Sequence, residues 1–200
     1  DLIDLTLHEL FSYGIMQTDP NFANYLYQPD NHRIALLDFG ATHEISQPVV
    51  QFYHRLMLAG FAGDDVALEA TIKDIGFIDE NIKDNQVKQI VHMVKFVFET
   101  LQENLYLDFA NTKLATDLQE LVISLAKDGF TPPPLPLDVL LIQRKFGGMF
   151  LLAAKLAARV DVVSLVADHL KGSAPSYQTK QTVLSDEWEL TSDYWRSLIY

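Results

Sequence analysis

Three side chains near the start of this chain carry oxygen atoms suited to chemistry on a charged substrate: Asp19, Asn24 and Asp38. They lie in the stretch MQTDPNFANYLYQPDNHRIALLDFGATHE, Met16 to Glu44, with Asn24 five residues after Asp19 and Asp38 nineteen after it. Carboxylate and amide oxygens are the ligands a hard divalent cation prefers. An Asp before a proline, as in Asp19-Pro20, is by itself only a turn-former. Three such side chains on the edges of one short unit read instead as a metal site.

The unit that must position them is a hairpin. Tyr25, Leu26 and Tyr27 favour strand, QPDNHR carries turn chemistry, and IALLD is a short apolar strand, which predicts pairing of about 25–27 with 34–37. Helical spacing fills the remainder. Ile3, Leu7, Leu10 and Phe11 predict one amphipathic helix over 2–13 closed by Gly14. Ser46 and Pro48 mark a helix start whose inner face is Val50, Tyr53, Leu56 and Met57, and 64–75 repeat the pattern. The stripe from Val87 to Leu105 predicts a helix of about five turns. Leu114 to Leu125 make another, ended by Asp128-Gly129. TPPPLP, Thr131 to Pro136, is a rigid connector. A long helix over 137–159, apolar on most sides and so central, and a shorter one over 161–170 follow. The fold class is thus mainly α with one short β-hairpin. Residues 1–171 form one lobe, and 172–200 an acidic, loosely packed tail with Trp188 and Trp195 as anchors.

Composition narrows the function classes. With 48% apolar residues in 200, the chain can build a real core. A net charge of −12 argues against nucleic acid as a partner, because phosphate-backbone binding needs clustered Lys and Arg. There is no cysteine, which excludes disulfides and thiolate sites. The most apolar run, FGGMFLLAAKLAARV, is interrupted by Lys155 and too short to span a bilayer. No secretory signal opens the sequence, since Asp1 and Asp4 stand where basic residues would be.

The order of Asp19, Asn24, a hairpin and Asp38-Phe39-Gly40 resembles the catalytic core of protein kinases. There an Asp and an Asn five residues on share a catalytic loop, and an Asp-Phe-Gly turn follows a hairpin. The wording is closer still to one group. MQTDPNFANYLY, then LLDFGAT-E, then RKFGGMFLLAAKL resemble the UbiB family of atypical kinase-like proteins, particularly its coenzyme Q-associated branch, over roughly residues 2–170. In that family Gln17-Thr18 replaces the usual His-Arg before the catalytic Asp. The resemblance implies Asp19 in the catalytic-loop role, Asn24 and Asp38 as Mg²⁺ ligands, and Gly40 as the turn glycine. It implies Mg²⁺ and ATP as cofactors, with ATP hydrolysis or phosphoryl transfer in support of ubiquinone biosynthesis. It also implies coenzyme Q biosynthesis proteins and membrane lipids as partners. The expected location is cytoplasmic or on the mitochondrial matrix side, peripheral to a membrane.

Two departures qualify the match. His43 stands where the family's run carries Arg. Only eighteen residues precede Asp19, and the first lysine is Lys73, so an N-terminal kinase-like lobe with its phosphate-covering loop and paired Lys is missing. The expectation is a C-terminal lobe of a kinase-like fold, inactive in isolation. The alternative is a non-catalytic helical interaction or lipid-binding module that keeps the scaffold. His8, His54, His92 and His169 read as separate surface or core histidines, and His32 as a solvated turn residue. Acidic residues in 79–84 and 99–108 read as solvated helix faces. Arg144 and Lys145 interrupt an apolar helix, so their stems should pack and their heads reach water or a carboxylate, with Glu44 the candidate for Arg144. The Phe146 to Leu152 cluster reads as core rather than a quinone-facing surface.

Overall fold

The computed structural model describes residues 1–78 and 81–171. The tail, with Trp188 and Trp195, lies outside the described residues. The first helix, α1 (Leu2–His8), runs on into a π-helical turn, Glu9–Tyr13, in which Glu9, Leu10 and Phe11 are all buried. Gly14 stops it at φ 64, a left-handed conformation that glycine adopts without strain. The chain then enters β1 (Ile15–Gln17), a 3₁₀ turn (Phe22–Asn24), β2 (Tyr25–Gln28) and β3 (Arg33–Leu36). The expected hairpin is β2–β3, in antiparallel register from Tyr25 opposite Leu36 to Gln28 opposite Arg33.

One hairpin is not the whole of the β-structure. β1 pairs antiparallel with β4 (Thr42–Glu44), and a third pair joins β5 (Leu107–Asp108) to β6 (Arg159–Val160). Strands of two or three residues are too short to show an alternating pattern, so the sequence gives no sign of them. One consequence is that Asp108, read as a solvated helix-face residue, instead ends β5 and accepts the amides of Ala110 and Asn111.

The remaining helices are α2 (Gln47–Ala62), α3 (Asp65–Asp74), α4 (Asp84–Gln102), α5 (Leu114–Lys127), α6 (Leu137–Lys155) and α7 (Val162–Lys171). Ser46 and Pro48 do open α2, and the Asp64 carboxylate caps α3 by accepting the Ala67 amide. Two expected boundaries move. Leu105 lies beyond the end of α4 and is exposed. α6 ends at Lys155 because Ala157 takes a positive φ of 50 and the chain turns into β6. Nor is α6 buried on most sides: Val139, Ile142, Lys145, Met149 and Leu152 face inward, while Leu137, Leu140 and Leu151 are exposed.

Three apolar clusters make the core of the described residues, the smallest of them Leu107, Phe109 and Ala153. Leu7, Leu10, Met16, Val50, Phe52 and Ile142 sit between α1, α2 and α6, and Leu68, Ile72, Ile90, Phe98 and Leu125 join α3, α4 and α5. Leu56, Met57, Phe61 and Phe77 pack against the two larger clusters and weld them together. Each fully buried side chain of this size contributes about 1.5–3 kcal/mol of apolar burial. Phe146 packs on Tyr53 and Phe150 on Phe109, which gives the 146–152 cluster to the core apart from exposed Leu151. Among the described residues no helix is long and apolar enough to cross a membrane.

Candidate functional site

The site is built from backbone outward. β1 delivers Gln17 and Thr18 to the start of the Asp19 loop, and the β1–β4 pairing holds that start against the far side of the Asp38 turn. Thr18 binds Ala41 twice, donating its amide at 3.0 Å and its hydroxyl at 2.8 Å to the same carbonyl. The Leu37 amide donates to the Asn24 carbonyl at 3.0 Å. The residues next to Asp38 are thus tied by main chain both to Asn24 and to the residue before Asp19.

Side chains complete the arrangement. Asn24 Nδ2 donates to Asp19 Oδ2 at 3.0 Å, which fixes both groups against each other. Gln17 spans the two acidic positions: its Nε2 donates to the Asp38 carbonyl at 3.2 Å, and its Oε1 accepts the Asp19 amide at 3.1 Å. Asp38 Oδ1 accepts the Gly40 amide at 2.7 Å. A Cβ on Gly40 would stand 3.1 Å from that oxygen, so the glycine lets the backbone approach the carboxylate; its φ is not in the left-handed region. Asn24 and Asp38 line one small cavity with Gln17, Tyr25, Glu9 and Lys145. Its volume of about 10 Å³ holds no more than one water.

Arg144 does reach a carboxylate, but Asp19 rather than Glu44. Its guanidinium donates to Asp19 Oδ1 at 3.1 Å. The reason is the path of α6, whose Gly148 rests directly on Pro20, where a Cβ would collide with the proline ring. One helical turn earlier, Arg144 overhangs the Asp19 loop, whereas Glu44 is held opposite Ile15 in the β1–β4 pair. Lys145 turns the other way and is 2% exposed. Its Nζ lies 3.3 Å from Glu9 Oε2, an ionic contact without hydrogen-bond alignment, and donates to the Tyr25 hydroxyl at 3.4 Å. Burial pushes the Glu9 carboxyl up and the Lys145 ammonium down, and each group's charge opposes the other's shift. Burial, helped by the negative charges of Glu9 and Asp19, pushes the Tyr25 phenol up to about 12.

Sequence reasoning missed Gln17 as the link between the acidic positions and Glu9 as the partner of Lys145. The second had a signal: an acidic residue between Leu7 and Leu10 on the apolar face of one helix, and a lysine in the apolar stripe of another. His8 and His169, read as unrelated, meet at Asp4, where the His169 ring nitrogen lies 2.9 Å from the carboxylate. His43 contacts the Asp138 carboxylate at 3.1 Å and joins β4 to the first turn of α6.

Known proteins resemble this chain in sequence and fold. A family model, the ABC1 atypical kinase-like domain, matches residues 1–72, the part that holds α1, the Asp19 loop, the hairpin and the Asp38 turn. "Atypical kinase coq-8, mitochondrial" of Caenorhabditis elegans is 32% identical over 162 residues, covering 79% of this chain and 21% of the relative. "Atypical kinase COQ8B, mitochondrial" of Rattus norvegicus is 30% identical over 171 residues, covering 84% and 31%. "Atypical kinase COQ8, mitochondrial" of Schizosaccharomyces pombe is 29% identical over 170 residues, covering 82% and 27%. Among solved structures, the Rv3197–erythromycin complex from Mycobacterium tuberculosis superposes with a TM-score of 0.56 at 21% identity. That match covers 88% of this chain and 44% of the other, and shows a shared fold. The chain spans between 21% and 33% of the length of these and other curated relatives. With the motif, its geometry and these relatives in agreement, the chain belongs to the UbiB, or ABC1, family of atypical kinase-like proteins, on its coenzyme Q-associated branch.

Proposed function

We propose that this chain carries the catalytic-loop and metal-binding part, the C-terminal lobe, of an atypical kinase or ATPase that supports ubiquinone biosynthesis. The observation that carries the reading is the Asp19–Asn24 side-chain hydrogen bond with Gln17 bridging the Asp19 amide to the Asp38 backbone carbonyl, which ties the Asp19 loop, Asn24 and the Asp38 turn together. The donor set is all oxygen, without thiolate or imidazole, and so fits Mg²⁺. In this reading Asn24 and Asp38 would hold the ion, and Gly40 would keep the Asp38 carboxylate fixed through its amide. When bound, Mg²⁺ neutralises charge on the phosphate oxygens of ATP. Asp19 orients an attacking hydroxyl or water and accepts its proton, while Asn24 and Arg144 hold its two oxygens in place.

The loop and lysine that cover phosphates in kinase-like enzymes would come from the part of the relatives outside these 200 residues. The printed names of the relatives include a mitochondrial location. By extension we place this protein on the matrix side, peripheral to the membrane, with coenzyme Q biosynthesis proteins and membrane lipids as partners.

Calorimetric titration with Mg²⁺-ATP tests the reading. The 200-residue chain should bind at about millimolar, roughly −4 kcal/mol, and show no turnover. Joined to the N-terminal portion of a relative, it should hydrolyse ATP, and Asp38→Asn should abolish hydrolysis while leaving nucleotide-free thermal stability nearly unchanged. Phosphate release indifferent to Asp38→Asn would refute the assignment. A folded, joined protein that neither binds nor hydrolyses ATP would favour the non-catalytic interaction module.

A further inference from the structure

On the flank of α1, three metal-ligating side chains from two helices converge. Asp4 and His8 are one turn apart on α1, and His169 arrives from the last turn of α7. One ligand atom from each lies within 4.8 Å of the other two. His169 Nε2 is 2.9 Å from Asp4 Oδ1, and His8 Nε2 is 4.0 Å from Asp4 Oδ2. The two imidazoles meet edge to face with centroids 4.3 Å apart.

We propose that Asp4, His8 and His169 form a zinc-type site, independent of the Asn24/Asp38 site. Two imidazole nitrogens and one carboxylate oxygen are a three-ligand set that Zn²⁺ accepts in tetrahedral sites with a fourth position for water. Mg²⁺ prefers all-oxygen surroundings and is disfavoured by the same donors. Three further observations favour ligation over a plain hydrogen-bonded contact. His8 Nδ1 contacts Ser12 Oγ at 3.3 Å, which occupies that nitrogen and leaves Nε2 toward Asp4, as an outer partner does for a ligating histidine. The His169 side chain is 7% exposed, so its ring is held in place, while Asp4 and His8 are 41% and 45% exposed and leave the fourth position open to solvent. The chain has no cysteine to compete for a soft divalent ion, and none of its other four histidines belongs to such a cluster among the described residues. An ion here would clamp α7 to α1, the helix that leads into Gly14 and β1.

Titration of the 200-residue chain with ZnCl₂ alone decides it. One ion should bind per chain, and Asp4→Asn and His8→Gln, both at half-exposed positions, should each weaken binding about tenfold or more with unchanged far-UV circular dichroism. Zn²⁺ should raise the Tm of the parent chain and not that of Asp4→Asn. Asp38→Asn and saturating Mg²⁺ should leave the zinc isotherm as it was, which separates this site from the proposed nucleotide site. Zinc affinity equal in the parent, Asp4→Asn and His8→Gln chains, or no zinc binding to the parent, would reduce the triad to a hydrogen-bonded clasp and overturn the proposal.

Discussion

At Lys145 an ammonium group sits 2% exposed with one carboxylate, Glu9, 3.3 Å away. Removing one member of such a pair strands the other charge in a medium that solvates it poorly, and typically costs about 3–5 kcal/mol. Lys145→Met should therefore lower the unfolding free energy obtained from urea titration by about 3–5 kcal/mol. Glu9→Gln added to Lys145→Met should recover at least half of the loss, since no charge is then left buried; a double variant as unstable as the single would show that the packing of the stem, not the charge, is what matters. Arg144, one residue earlier, behaves differently because its side chain is 61% exposed. An exposed pair contributes only about 0–1 kcal/mol, so Arg144→Ala should leave the urea midpoint nearly unchanged, and in the joined protein its effect should appear in ATP turnover.

The element that does most for the site is α6, and its two adjacent glycines have different duties. A Cβ on Gly147 meets nothing within 4 Å, whereas a Cβ on Gly148 would collide with the Pro20 ring beside Asp19. Gly147→Ala should be neutral or stabilise by about 0.5–1 kcal/mol, the usual gain for alanine in a helix interior. Gly148→Ala should destabilise by about 1–3 kcal/mol, as overpacking does, and thermal denaturation of the two variants side by side checks the contrast. The start of α6 is secured separately by Asp138. Burial pushes its carboxyl up, but the hydrogen bonds from Ser46 and the contact with His43 outweigh that, and the net position is below the ordinary 3.8. A carboxyl lowered on folding adds stability above its unfolded value and loses it as pH falls through its folded value. Between pH 5 and about pH 3 the parent should therefore lose more stability than Asp138→Asn, a difference readable from urea midpoints across that range.

For the whole molecule, Leu56, Met57, Phe61 and Phe77 touch both larger apolar clusters and Val162 joins the first of these to the third, which predicts one cooperative transition. Far-UV and near-UV circular dichroism should give coincident urea curves; separated midpoints would mean that α3–α5 unfold on their own. Most of this architecture was legible in advance. Long stripes such as Val87 to Leu101 announce helices because an apolar face must recur every 3.6 residues, and the Asp19, Asn24 and Asp38 spacing is a property of the chain itself. The β1–β4 and β5–β6 pairs were not legible, being shorter than the pattern that would reveal them. Nor was the Asp19–Arg144 contact, since 125 positions separate the two and only the fold brings them together. That separation has a consequence during synthesis. At about 5–20 residues per second, Asp19 leaves the ribosome roughly 6–25 s before Arg144 does. For that interval the nascent Asp19 loop has neither its arginine nor the Gly148 surface beneath Pro20, so the site is completed only when α6 emerges.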